Sequence, residues 1–155
     1  MRHVKAWADF RRTQDCACIA AGLIFSAAAL HAWTRLSGPV WLKLLVVLGF
    51  PGAFMAATLV VALTIAPLRR ALARYVWMSF EAGFGQNALS ILMGVALLII
   101  AAVLIYFEVG HAASGGRYPA GVFSGYGAGI GTLIAQAVLV RTLQRDPALK
   151  SRIER

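Results

Sequence analysis

Charge is what this chain has least of, and acidic charge in particular: its 155 residues include six Asp or Glu against fifteen Lys or Arg, and 14% are charged in all. Soluble domains carry about 25%. With 60% of positions hydrophobic, a core of this size cannot enclose the surplus apolar surface, and the natural solvent for it is a bilayer. The scarcity of acid also removes chemistry. Glu81, Glu108 and Glu154 are scattered, so no carboxylate pair is placed for acid–base work. There is no H-E-x-x-H, no phosphate loop and no nucleophile with an attendant base. The glycine run near residue 127 contains G-x-G-x-G, but no strand precedes it and no acidic residue follows at dinucleotide spacing, which excludes a nucleotide site. The chain therefore reads as non-enzymatic unless a cofactor supplies the chemistry.

Cysteine is equally scarce. Cys16 and Cys18 are the two present; spaced C-x-C, they cannot act as a disulfide framework, and they read as small apolar residues at a helix entrance. Nor is there a cleavable signal: the basic start runs into an apolar stretch that continues to Leu30 with no small-residue cleavage site. The net charge of +9 invites a nucleic-acid partner, but no module for one is present. The basic residues sit instead at the ends of apolar stretches, where membrane topology and anionic lipid account for them.

What is there is hydrophobic length. A bilayer crossing needs about 20 apolar residues, and four stretches qualify: 16–33, 40–66, 87–107 and 120–140. The expected fold is an all-α integral membrane protein, a single membrane domain of four transmembrane helices arranged as two sequential hairpins, with short interfacial helices. Residues 1–15 form a basic leader in which Val4, Trp7 and Phe10, three apart, share one side of an interfacial helix. Gly49, Pro51 and Gly52 are expected to kink or loosen the second span, because proline removes a backbone donor and crowds the preceding turn. Trp33 and Trp41 bracket the first hairpin link at one membrane boundary. Between spans two and three, Leu68, Leu72, Tyr75 and Val76 recur at helical spacing, anchored by Trp77 and Phe80. Residues 141–155 form a basic tail, in which Asp146 and Pro147 read as the cap and first residue of a last short helix.

Orientation follows from the cations. Twelve of the fifteen lie in the leader, in the connection holding Arg69, Arg70 and Arg74, and in the tail from Arg141; Arg35, Lys43 and Arg117 are the other three. The positive-inside bias then places both termini in the cytoplasm of a bacterial-type inner membrane.

Sliding the chain on itself by 80 residues aligns the two hairpins: His31-Ala32 falls on His111-Ala112, Pro39 on Pro119, Gly49 on Gly129 and Pro67 on Pro147. Such a duplication is a parallel repeat, its halves related by an axis along the membrane normal. It puts His31 and His111 at matched depth near the outer face. Two such imidazoles are candidate ligands for a haem b. Glu108, three residues before His111, extends the same group to a divalent-metal site. Neither cofactor is required by the rest of the sequence, and each histidine also fits an interfacial side chain with its ring among the headgroups.

The fourth span carries the most unusual pattern. At about 100° per residue, Gly121, Ser124, Gly125, Gly127, Gly129, Gly131 and Thr132 fall on one arc of roughly 200°, joined by Gln136. Small residues let helix backbones approach closely in lipid. This arc is wider than one neighbour needs. The leading reading is an accessory or assembly subunit that packs through this helix against itself, as a homo-oligomer, or against a larger membrane complex. One alternative is the bis-histidine haem or metal protein. Another is a small channel or passive transporter lined by the polar members of the arc, although the near absence of ionisable residues within the spans argues against ion-coupled transport.

Overall fold

The computed structural model describes residues 2–82 and 120–154 and, between them, residues 96, 99, 100, 102–104, 106, 107 and 111. Among these every regular element is helical: α1 (Arg2–Arg35), α2 (Val40–Leu44), a π turn (Leu45–Gly49), α3 (Phe50–Thr64), α4 (Ala66–Glu81), α5 (Ala120–Leu143) and α6 (Pro147–Glu154). Three stretches, Val4–Arg35, Val40–Thr64 and Phe123–Leu143, are long and apolar enough to cross a membrane.

The basic leader and the first span are one helix. Nothing between Arg2 and Arg35 is glycine or proline except Gly22, so no residue there interrupts the ladder. The chain turns at Gly38, whose φ of 117° is open to glycine and strained for other residues. Pro39, extended at φ −66° and ψ 151°, then leads into α2.

The disturbance expected around Pro51 takes the form of the π turn. In continuous α-helix the Pro51 ring meets the carbonyl of Val47. Instead the Phe50 amide donates to the Leu45 carbonyl, one residue further back than in an α-helix, and this wider turn moves the chain around the ring. The added residue also turns both Val46 and Val47 into the interior. The second span ends at Ile65, extended at ψ 106°, because Pro67 cannot extend the preceding ladder. Beyond it α4 carries Arg69, Arg70 and Arg74 exposed, with Val76 buried on the other side. At the far end the Ala148 amide donates to the Asp146 carboxylate at 2.9 Å, so α6 starts on the cap and proline read from the sequence.

Paired contacts give the helix directions. Phe25 of α1 lies 5.3 Å, ring to ring, from Tyr126, and Asp15, ten residues earlier, bonds Arg141, fifteen residues later. α1 and α5 are thus antiparallel. Pro51 meets Gly127 while Met55 meets Gly131, so α3 and α5 run the same way. Two clusters hold these helices. One joins Ala28, Ala29, Ala32, Leu36, Val46, Val47, Phe123 and Tyr126 beneath the first link. The other joins Trp7, Phe10, Val76 and Val140 at the opposite, basic end. Much of the outer face is large and apolar, including Leu23, Leu30, Phe54 and Val60, as a helix surface meeting lipid requires.

The expected third span, 87–107, and the link that follows it fall mostly outside the described residues. Ile99, Ile100, Val103, Leu104, Tyr106 and Phe107 are described; they are helical and exposed.

Candidate functional site

α5 is the hub of the described structure, and its glycines do two different jobs. A Cβ built on Gly127 falls 2.8 Å from the Cα and carbonyl carbon of Pro51 and closer still to its oxygen. On Gly131 it falls 2.6 Å from the Met55 carbonyl oxygen and 3.0 Å from Thr58 Cβ. Backbone fills the space that a side chain needs, so Gly127-x-x-x-Gly131 is the contact through which α5 lies on α3. At Gly127 a Cα hydrogen stands where the Cβ would and points at the Pro51 oxygen, a weak attraction that recurs at close helix crossings. Ala135, one turn on, is fully buried in line with them.

The bulky side of α5 is buried too. Phe123 is fully enclosed and Tyr126 nearly so, the latter against Phe25 of α1. With α3 on one side and α1 on another, the open part of α5 shrinks to a strip. Gly125 and Gly129 are exposed, and among the described residues nothing lies within 4 Å of where their Cβ atoms would be. Thr132 and Gln136 are half-buried. These four fall within roughly 60° of one another on the helix. The small-residue arc is thus divided: Gly127 and Gly131 are used within the chain, and Gly125, Gly129, Thr132 and Gln136 border the outside. Gly121 lies in the first turn of α5, and Ser124 is half-buried between the two sets.

Thr132 also lines a mainly apolar cavity of about 270 Å³ with Ala57, Thr58, Val61, Ala62, Leu68 and Leu72. Its hydroxyl does not face that space for want of a partner; it donates to the Ala128 carbonyl at 3.0 Å. The cavity is a groove between α3, α4 and α5 rather than a polar path.

The histidines are placed differently from each other. The His31 ring stacks on Tyr106 at 4.9 Å, and its Nε2 is buried with no hydrogen-bond partner among the described residues. His111 is helical and exposed, and Glu108 lies outside the described residues. No group of three His, Cys, Asp or Glu side chains gathers among the described residues.

Two further features are hard to read in the sequence. The indole N–H of Trp7 and the hydroxyl of Tyr126 are buried without partners among the described residues; aromatic spacing marks both as apolar-face residues but says nothing of the polar atom each takes inside. The other is the aromatic knot of Trp7, Phe10, Trp77 and Phe80, with Trp7 4.6 Å edge-on to Phe80 and 6.1 Å from Trp77. Each half was visible as an interfacial pattern, and only the tertiary fold joins them.

Fold and surface together define a helical protein with three helices able to cross a membrane. No family model, curated protein or solved structure matches the chain.

Proposed function

We propose that this chain is a small, non-enzymatic inner-membrane protein that binds a second copy of itself or a larger membrane complex through the open strip of α5, as an accessory or assembly subunit. One observation carries the reading. α5 is packed by its own chain over much of its circumference, yet on one side it leaves Gly125 and Gly129 exposed with half-buried Thr132 and Gln136 beside them, and Val138 is the one large apolar residue exposed among its described side chains. Small residues on an open face permit a close backbone approach, and Thr and Gln offer hydrogen bonds worth about 0.6–2 kcal/mol each between helices.

Cysteines placed singly at Gly125 and Gly129, in a chain with Cys16 and Cys18 changed to Ser, test it in native membranes. Disulfide or short-linker cross-links from both positions, absent from a cysteine at exposed Val60 on α3, are expected. A protein that yields no adduct from either position and purifies as a bare monomer would sink the proposal.

The four-span, two-hairpin arrangement with both ends cytoplasmic draws support from the shared direction of α3 and α5. Two parallel crossings need a return crossing between them, and 87–107 is the one apolar stretch there long enough to make it. The repeat draws less. A two-fold axis along the membrane normal sets Gly131 level with Pro51, whereas Gly131 touches Met55 and Thr58, so this contact joins non-equivalent positions.

A second reading, a haem or metal protein, rests on the unpartnered Nε2 of His31. That nitrogen suits one ligand position, and His111, helical and exposed, is the candidate for the other. An absorption spectrum and metal analysis of the purified protein, with His31→Ala alongside, decide it: a Soret band or bound metal lost in the variant favours this reading, and a colourless, metal-free parent removes it.

A further inference from the structure

The apolar groove of about 270 Å³ between α3, α4 and α5 has cations on the far side of one of its own walls. We infer that the groove holds one acyl chain of an anionic phospholipid whose phosphate meets Arg70 and Arg74 on the flank of α4. The site shares Thr132 with the open strip of α5 and otherwise stands apart from the proposed partner contact.

α4 has three working sides. Val76 is buried with Trp7, Phe10 and Val140, where α4 meets α1 and α5. Leu68 and Leu72 line the groove with Ala57 and Val61 of α3 and Thr132 of α5. At about 100° per residue, Arg70 and Arg74 fall roughly opposite those two leucines, and both are exposed. Ala71, also exposed, sits between the two sets, since residues three apart on a helix are surface neighbours and Leu68, Ala71 and Arg74 follow at that spacing. A lipid can therefore lie across α4 at this point, its chain over the leucines and its phosphate at the guanidinium groups, with a single methyl group in between.

Depth and chemistry both favour a lipid. Ala57 and Val61 lie within the apolar stretch Val40–Thr64, and Thr132 within Phe123–Leu143, so if both cross a bilayer the groove stands among acyl chains. Val61 and Leu68 are left exposed beside it, so its mouth is apolar as well. Water finds little to bond inside, because the Thr132 hydroxyl already donates to the Ala128 carbonyl. α4 starts at Ala66, directly after α3 ends at Thr64, which is the level where cations meet anionic headgroups. Among the described residues Arg70 and Arg74 form no ion pair. The one acid of the helix, Glu81, accepts the indole N–H of Trp77 instead. Residues four apart share a helix face, and two guanidinium groups so placed offer the paired donors that match phosphate oxygens. Their aliphatic stems can follow the apolar flank while the heads reach the phosphate.

The full chain is purified in a neutral detergent and titrated, at fixed ionic strength, with phosphatidylglycerol, with phosphatidylcholine of the same chains, or with glycerol phosphate, which has none. Thermal unfolding reads binding, because a ligand of the folded state raises the midpoint. Phosphatidylglycerol is expected to raise it most. Arg74→Gln is expected to weaken that response about tenfold, while Arg12→Gln, at an exposed cation of α1, leaves it unchanged. Ala57→Phe fills the groove from an exposed position of α3 and is expected to abolish the response to both lipids, while Ile19→Phe, on the exposed side of α1, leaves both unchanged. A parent that responds no more to phosphatidylglycerol than to phosphatidylcholine, or as strongly to glycerol phosphate, overturns the inference. So does a parent that takes up neither lipid, the result expected if residues 87–107 or a second copy fill the groove. Arg74→Gln and Ala57→Phe variants that match their controls overturn it too. If Ala57→Phe elutes as aggregate, Arg74→Gln against Arg12→Gln decides the matter.

Discussion

Gly127 of α5 lies so close over Pro51 of α3 that a single added methyl group there would meet the Pro51 backbone at 2.8 Å or less. Backbone on both sides cannot move aside as the end of a flexible side chain can. Gly127→Ala is therefore expected to destabilise the folded protein by about 1–3 kcal/mol. Gly129→Ala, two residues away and open, should be neutral or stabilising by up to about 1 kcal/mol, since alanine restricts the unfolded chain and favours helix. Thermal or denaturant unfolding in detergent checks both. Equal effects at the two positions would contradict the division of the glycines between an inner and an outer face.

Trp7→Ala removes the centre of the aromatic knot. Trp7 is fully buried and its ring touches Phe10, Trp77 and Phe80, so a cavity opens where α1 and α4 meet. The expected loss is about 3–5 kcal/mol, with Trp7→Phe costing clearly less because most of the ring contact stays. Near-ultraviolet circular dichroism should lose aromatic signal in the alanine variant while the far-ultraviolet helical signal persists.

Tyr126→Phe should behave in the opposite way from most core substitutions. The hydroxyl is buried without a partner among the described residues, so deleting it removes an unsatisfied group and keeps the ring against Phe25. Stability is expected to stay level or rise by up to about 1 kcal/mol. A clear loss would mean that the hydroxyl has a partner in the folded protein.

How much of this was legible in advance differs from element to element. Helix class, the first hairpin link between Trp33 and Trp41, the end of the second span near residue 66 and the cap at Asp146 each depend on neighbours in sequence, and the residues announce them. The π turn was half legible: Pro51 with Gly49 and Gly52 forecast a disturbance, but whether the helix kinks or widens depends on Val46 and Val47 being drawn inward together. The division of the α5 glycines was not legible at all. Spacing sets Gly127 and Gly129 on one broad arc, and only the angle at which α3 arrives decides that the first is filled and the second open. Likewise Arg11 and Lys150, far apart in sequence, line one cavity only once α6 has folded back against α1.

The Asp15–Arg141 pair ties α1 to α5 with both carboxylate oxygens engaged, yet its side chains are 32% and 51% exposed. Water and salt screen a pair so placed. A double-mutant cycle with Asp15→Asn and Arg141→Gln is expected to give a coupling of about 0.2–1 kcal/mol, falling as salt is raised. A coupling above that range and insensitive to salt would place the pair in a far drier setting than its exposure describes.

The directions of α1, α3 and α5 make a prediction about topology that needs no knowledge of the partner. α1 is antiparallel to α5, and α3 is parallel to it. If all three cross the membrane, the start of α1, the end of α3 and the end of α5 share one side, and the link at Gly38 lies on the other. The cations agree, since Arg11, Arg69, Arg141 and Lys150 fall on the first side, and Arg35 and Lys43, the latter 5.9 Å over the Trp33 ring, on the second. Single cysteines at Ser37, Ser79 and Ser151, in a chain lacking Cys16 and Cys18, are to be probed in intact cells with a membrane-impermeant thiol reagent. Ser37→Cys is expected to react from outside, and Ser79→Cys and Ser151→Cys only after lysis. Labelling of Ser151→Cys from outside with Ser79→Cys protected would put an odd number of crossings between the end of α3 and that position. The fourth span could not then be reconciled with parallel helices.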